Sequence, residues 1–165
     1  MRIKISGVVN DSIVDGNGFR LTVFTQGCPH HCPGCHNPET HNPKDGFWAD
    51  TEDIMDVVKE NPLLDGITLS GGDPFMQSVP CTLLAEETHK LGLNVWTFTG
   101  YTWEELWAEQ DAEKLELLRH TDILVDGPFL LAERSLELRF KGSKNQRTID
   151  VKKSLETGNI MLWEG

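Results

Sequence analysis

The sequence is short of basic residues and of long apolar runs. Its 15 Lys and Arg are outnumbered by 26 Asp and Glu, giving a net charge of −11, whereas proteins that bind nucleic acid through its phosphates carry clustered Lys and Arg. No apolar run approaches the roughly 20 residues of a membrane helix. The first residues also lack the apolar stretch of a secretory signal. We therefore expect a cytoplasmic protein that binds a small ligand or another protein, and neither nucleic acid nor a membrane.

Cysteine is scarce too, with four in 165 residues. Two disulfides would suit a small secreted protein, but a chain of this length can bury a core without them. Three of the four lie in the segment 27–38, and reduced thiols so close together are typical of metal ligands. The length is that of one domain, so we expect a single domain over residues 1–165.

Short apolar runs alternate with amphipathic ones along the chain. Four runs have the composition of strands, 19–25, 66–70, 93–99 and 122–127, and a weaker strand-like run follows at 148–151. Helices are predicted between them over 51–60 and 80–91, and from a Thr-x-x-Glu capping box at 102–105. This order indicates an α/β fold with parallel pairing and helical crossovers. Ligands gather at the carboxyl ends of such strands, so the four loops that follow them should meet at one edge of the sheet.

The first of these loops has the spacing Cys28-x3-Cys32-x2-Cys35. Pro and Gly between the cysteines turn the backbone, which lets three thiolates converge on one centre. Three thiolates on a four-iron cluster leave one iron without a protein ligand. Such an open position can bind a substrate or cofactor, as it does in catalytic metal sites.

Two other interpretations of the cluster remain open from the residues alone. Structural zinc is four-coordinate, and His36 or His41 would supply the fourth ligand. An electron-carrying 4Fe-4S cluster normally has four cysteines, whereas Cys81 lies in a predicted helix and is better explained as a small buried side chain. His30 and His31 have the character of polar loop residues.

The cysteine spacing resembles the signature of radical S-adenosylmethionine (SAM) enzymes. The resemblance extends along most of the chain and is sharpest at 18–41, 66–75, 122–129 and 139–147. With these segments the sequence is similar to the activating proteins of anaerobic (class III) ribonucleoside-triphosphate reductases, a family of glycyl-radical activases in the radical SAM superfamily. The fold this implies is a partial, open βα barrel with a mostly parallel sheet, since a closed barrel takes roughly 200 residues or more.

The resemblance implies roles for particular residues. A 4Fe-4S cluster would be held by Cys28, Cys32 and Cys35. SAM would lie against Cys35 and its neighbours Gly34 and His36, although many relatives carry an aromatic residue where this chain has Gly34.

The segment Gly71-Gly72-Asp73 matches a Gly-Gly-Glu motif whose backbone receives the methionine amine of SAM, with Asp in place of Glu. The same residues also fit an ordinary strand-to-helix turn with Asp73 as the N-cap. At the later strand ends, Thr97, Thr99 and Asp126 are candidates to reach the ribose or amino groups of SAM. Buried strand threonines and a turn-forming aspartate explain them equally well.

The implied reaction is reductive cleavage of SAM at the cluster. It gives a 5'-deoxyadenosyl radical that takes hydrogen from a glycine of the reductase, with flavodoxin or a similar protein as electron donor. No general acid or base is needed, and the sequence offers no obvious Ser-His-Asp set. The alternatives are an activating enzyme of pyruvate formate-lyase, a small-molecule enzyme such as 7-carboxy-7-deazaguanine synthase, and a zinc-stabilised binding module without catalysis. For the segment 139–147 the alternatives are a solvated turn and a partner-facing element.

Overall fold

The computed structural model describes residues 1–30, 32–35 and 38–165. These residues form one seven-stranded sheet and five α-helices. The strands are β1 (Arg2–Ser12), β2 (Arg20–Thr25), β3 (Phe47–Asp50), β4 (Gly66–Gly71), β5 (Asn94–Phe98), β6 (Ile123–Asp126) and β7 (Arg147–Asp150). The helices are α1 (Thr51–Glu60), α2 (Ser78–Lys90), α3 (Trp103–Glu109), α4 (Ala112–Arg119) and α5 (Val151–Thr157). Short 3-10 turns cover Pro38–Thr40, Pro74–Gln77 and Leu131–Glu133.

The sheet has the order β3-β1-β2-β4-β5-β6-β7. Strands β2, β4, β5 and β6 pair in parallel, while β1 and β7 pair antiparallel with their neighbours. Because β3 is antiparallel to β1, it points the same way as the central four. The prediction of an α/β fold with a mostly parallel sheet is confirmed. The central strands place their carboxyl ends at one edge.

The four predicted strands are present as β2, β4, β5 and β6, and their flanking residues explain the predicted helices. Asp50 caps α1, where its side chain accepts a hydrogen bond from the Glu52 amide. Thr102 and Glu105 form the predicted capping box of α3, each side chain satisfying the other residue's backbone. These local signals fix where α1 and α3 begin, whereas α2 begins at Ser78, without a side-chain cap and before the predicted start at residue 80.

The helices cover one face of the sheet, and an aromatic cluster covers part of the other. Val95 belongs to the main core, whereas its neighbour Trp96 packs on the opposite face because successive strand side chains alternate. Trp96 meets Phe140 and Trp163 edge-on, with ring centroids 5.3 and 5.0 Å away. Of the described helices, none is both long enough and apolar enough to cross a membrane.

A buried arginine ties the amino ends of the central strands together. Arg20 is fully buried, and its guanidinium donates to the Thr68 hydroxyl at 2.7 Å and to the Ile67 carbonyl at 2.7 Å. Burial lowers the pKa of Arg20 to about 10, which still leaves it charged at neutral pH. The charge of Arg20 is therefore held at the edge opposite the loop after β2, which carries Cys28, Cys32 and Cys35 and is called the cysteine loop below.

Candidate functional site

The loops after β2, β4, β5 and β6 open into one pocket of about 420 Å³. Its walls combine thiols, glycine backbone, aromatic rings and a few polar side chains. The predicted residues that line it are Cys28, Cys32, Cys35, Gly71, Gly72 and Thr99. The fold thus brings residues distant in sequence to a single site at the carboxyl edge of the sheet.

The cysteine loop is closed at its base by backbone hydrogen bonds. Gly27 donates to the Thr40 carbonyl at 2.6 Å, and Cys28 donates to the His41 carbonyl at 3.1 Å. Each of the three cysteines is partly exposed at the pocket, which His41 also lines. Three accessible thiols in one cavity suit an iron-sulfur cluster, since thiolates are the preferred ligands of that group. The residues present therefore fit the cofactor predicted from the sequence.

The fourth cysteine lies elsewhere. Cys81 is fully buried in α2 and does not line the pocket. Burial raises the pKa of its thiol far above the ordinary value, with the nearby Asp73 charge acting in the same direction. The prediction that Cys81 is a small buried side chain is confirmed. The thiols that line the pocket are therefore the other three.

Two glycines bring the end of β4 into contact with the base of the cysteine loop. Gly71 has a φ of +94°, a conformation that favours glycine. Gly72 donates to the Thr25 carbonyl at 2.7 Å. A Cβ atom at Gly71 would overlap the Thr25 amide nitrogen, and one at Gly72 would overlap the Gly27 carbonyl. The absence of side chains lets the backbone of this turn form a wall of the pocket.

Asp73 turns its carboxylate away from solvent and into the protein. As predicted for a turn, it caps the 3-10 helix Pro74–Gln77 by accepting from the Phe75 amide at 3.0 Å. The same carboxylate accepts from the Thr99 hydroxyl at 2.8 Å and from the Gly100 amide at 3.0 Å. The side chain of Asp73 is thus fully occupied by protein groups.

Two residues predicted to bind SAM lie away from the pocket. Thr97 is buried, and its hydroxyl bonds to that of Thr121 at 2.9 Å. Asp126 is also buried and pairs with Arg147. Neither residue lines the pocket, and their alternative explanation as structural residues agrees with these contacts, while a role toward SAM stays a prediction.

The two neighbours of Cys35 have different outcomes. Gly34 is exposed, has a φ of +74° and stands outside the pocket lining, next to Leu131. The prediction for His36 falls outside the described residues.

The segment 139–147 contributes to the pocket, a role the sequence left open. Phe140, Lys141 and Gln146 line it. The Gln146 side chain accepts from the Gly142 amide at 2.9 Å and donates to the Gly127 carbonyl at 3.0 Å. This polar segment is therefore a folded wall anchored to the loop after β6. Its unusual composition was the available signal, but composition could not reveal which strand end it joins.

The chain is similar to known proteins over most of its length. A model of the 4Fe-4S single cluster domain family matches residues 14–149. The chain is 38% identical over 142 residues to an anaerobic ribonucleoside-triphosphate reductase-activating protein of Salmonella typhi, covering 81% of this chain and 90% of that one. Identity to the protein of the same name is 37% in Escherichia coli K12, with the same coverage, and 31% in Enterobacteria phage T4, with 81% and 85% covered.

A solved structure supports the fold. The crystal structure of QueE from Escherichia coli superposes with a TM-score of 0.51 at 18% sequence identity, over 62% of this chain. The matched region spans about half of QueE, 54% of its chain. Over the shared part, the two chains have a similar arrangement of strands and helices.

Proposed function

The chain belongs to the family of anaerobic ribonucleoside-triphosphate reductase-activating proteins, and on that basis we propose that it activates such a reductase by generating a radical on one of its glycines. Its cofactors are a 4Fe-4S cluster and SAM. The substrate is a protein, the reductase, and the reacting group is a glycine in a loop presented to the pocket.

The observation that carries the proposal is the meeting of the cysteine loop with the glycine turn. Cys28, Cys32 and Cys35 line the same cavity as Gly71 and Gly72, although the two segments are more than 30 residues apart. A binding module stabilised by zinc would need a closed set of four ligands, for which His41 at the pocket is the candidate fourth ligand. A pocket of about 420 Å³ beside three thiols instead leaves room for a second cofactor.

The protein's own residues have simple tasks in this proposal. The three cysteines would hold the cluster, and the backbone at Gly71 and Gly72 would receive the methionine part of SAM. When bound, the reduced cluster would supply the electron that splits SAM into methionine and a 5'-deoxyadenosyl radical, and the glycine hydrogen would pass to that radical to give 5'-deoxyadenosine. Phe98, Phe129 and Phe140 line the pocket and would limit water around that radical.

The architecture suits a protein substrate. The described strands run from β3 at one edge to β7 at the other without pairing the two edges, so the sheet is open. An open sheet leaves a side from which a loop of a large partner can enter. The partial barrel, the flavodoxin-like electron donor and the cytoplasmic location remain predictions from the sequence.

The proposal is tested by SAM cleavage. Protein reconstituted with iron and sulfide under anaerobic conditions, then given dithionite and SAM, should release 5'-deoxyadenosine, measured by chromatography. Cys32→Ala should abolish the product because it removes a cluster ligand. Cys81→Ala should keep most of the activity and lower the free energy of unfolding by about 1 kcal/mol or more, the cost of deleting a small buried group.

Cys81→Ala is the matched control because it also removes one thiol from the chain but none from the pocket. Cleavage of SAM by Cys32→Ala at the wild-type rate would contradict the cluster assignment. Bound zinc, with no sulfide and no product from the wild type, would support the binding module instead.

A further inference from the structure

A histidine inside the cysteine loop is bonded to the Gly-Gly-Asp turn. His30 lies midway between Cys28 and Cys32 and lines the pocket, yet only 16% of its side chain is exposed. Its Nε2 lies 2.6 Å from Oδ2 of Asp73, so the imidazole donates to the buried carboxylate. One hydrogen bond thus joins the loop after β2 to the loop after β4.

The same carboxylate reaches the loop after β5. Besides His30, Asp73 accepts from the Thr99 hydroxyl and the Gly100 amide, at 2.8 and 3.0 Å. The Thr99 hydroxyl oxygen in turn accepts from the Tyr101 amide at 3.1 Å. Three of the four loops around the pocket therefore converge on one carboxylate that is fully buried.

The shape of the site also fixes the imidazole. The ring of Tyr101 meets the imidazole of His30 edge-on, with centroids 4.6 Å apart and planes at 81°. On another side, a Cβ atom at Gly100 would overlap the imidazole, so this glycine provides the space that the ring occupies. Packing and hydrogen bonding together select one orientation of His30.

We propose that His30 is a positioning residue, which fixes the cysteine loop to Asp73 and thereby sets the place of the three thiols relative to the Gly71–Gly72 backbone. The inference rests on the proposed function, because it assigns His30 a task toward the cluster and SAM held there. It also gives the Asp of this motif a role that its side chain performs within the protein.

The physical basis is the cost of loosening a buried network. The Asp73 carboxylate accepts several hydrogen bonds, and hydrogen bonds to a charged group are stronger than those between neutral groups. Groups that orient metal ligands without touching the metal commonly change metal affinity by about 10- to 100-fold when they are removed. Without His30, the cysteine loop could shift relative to β4. The cluster and SAM would then no longer be held at fixed positions relative to each other.

The test compares His30→Gln with His30→Leu after reconstitution with iron and sulfide. Two quantities are measured: the rate of iron loss to a chelator, and the SAM concentration that half-converts the EPR spectrum of the reduced cluster. For His30→Leu we expect iron loss about 10-fold faster or more, together with a higher SAM requirement. For His30→Gln, whose amide nitrogen can take the place of Nε2, both values should return close to wild type.

A matched control exists in a second histidine-aspartate pair. His89 Nε2 lies 2.7 Å from Asp122 Oδ2, and neither residue lines the pocket. Like His30→Leu, His89→Leu removes one imidazole ring and its hydrogen bond to an aspartate. It should leave the rate of iron loss and SAM binding unchanged. Should His30→Leu not fold, His30→Asn takes its place, because its shorter amide falls short of Asp73 and should reproduce the same loss.

Equal iron loss and equal SAM binding in wild type and His30→Leu would overturn the inference while leaving the proposed function intact. An equal effect of His89→Leu would also overturn it, since the effect would then be general destabilisation. A wild-type protein that takes up no cluster would instead overturn the proposed function itself.

Discussion

At the scale of a residue, Asp126 is a carboxylate at the end of a strand that stabilises the fold through its hydrogen bonds. It is 1% exposed and accepts from the Trp103 amide at 2.8 Å. Arg147 donates hydrogen bonds from Nε and Nη2 to the two carboxylate oxygens of Asp126, and from Nη1 to Glu104. The hydrogen bonds to Asp126, followed by those to Glu104, raise the pKa of Arg147 above its ordinary value. The carboxylate therefore joins β6, β7 and the start of α3.

Asp126→Asn should lower the free energy of unfolding by about 2 kcal/mol, the range for bonds to a charged group, because the bonds to Arg147 lose their charge assistance. Urea denaturation of the cluster-free protein at neutral pH measures this. SAM binding, followed separately on reconstituted protein, should not change.

Glu104→Gln is the comparison, since its side chain is 63% exposed on the other side of Arg147. An exposed pair contributes at most about 1 kcal/mol, so the loss there should be smaller. Weaker SAM binding in Asp126→Asn with unchanged stability would instead support a role of this residue in binding SAM.

The residues of the site differ in how far sequence could predict them. The cysteines are evident because their spacing is itself the constraint on metal binding. Thr97 and Asp126 have side chains suited to a ligand, and only the three-dimensional contacts reveal Thr121 and Arg147 as their partners. His30 is the opposite case, a polar loop residue in sequence and a partly buried partner of Asp73 in the structure.

At the scale of an element, the end of β4 is the most constrained part of the site. Gly72 has the Gly27 backbone directly against it, so an added Cβ has no flexible side chain to displace. Gly72→Ala should therefore cost about 1 to 3 kcal/mol of unfolding free energy, as overpacking does, and should lower iron retention. Denaturation and iron analysis after reconstitution measure the two effects.

Gly92→Ala is the matched control in another turn. Gly92 has a φ of +76° but nothing within 4 Å of its Cβ position, so only the backbone conformation opposes the change. Its cost should be about 1 kcal/mol, with iron retention as in the wild type. Normal iron retention in Gly72→Ala would contradict the role given to this turn.

The elements that sequence predicted are those with strong local signals. The central strands are rich in β-branched and apolar residues and are mostly buried on both faces, and α1 and α3 begin at recognisable caps. The prediction omitted β1, β3, α4 and α5. Much of β1 is exposed along its second half, and β3 is four residues long, so neither has the apolar content of a buried strand. Their pairing depends on tertiary contacts that local patterns do not contain.

At the scale of the whole molecule, the buried Arg20 and the pocket lie at opposite ends of the sheet. The amino edge holds Arg20 within a hydrogen-bonded network. The carboxyl edge gathers the cysteine loop, the glycine turn and the segment 139–147 around one cavity. The sequence predicted which loops would meet there because parallel strands deliver their carboxyl ends to one edge. It could not predict how the last segment returns to cover that edge.

If the proposed function holds, this chain makes a radical on a glycine of a partner reductase. The most direct measurement is EPR of the anaerobic reductase mixed with reconstituted protein, SAM and a reductant. We predict a glycyl radical signal with the wild type and none with Cys32→Ala. SAM cleavage without any radical on the reductase would contradict the activase function, and a signal produced by Cys32→Ala would contradict the assignment of Cys32 as a cluster ligand.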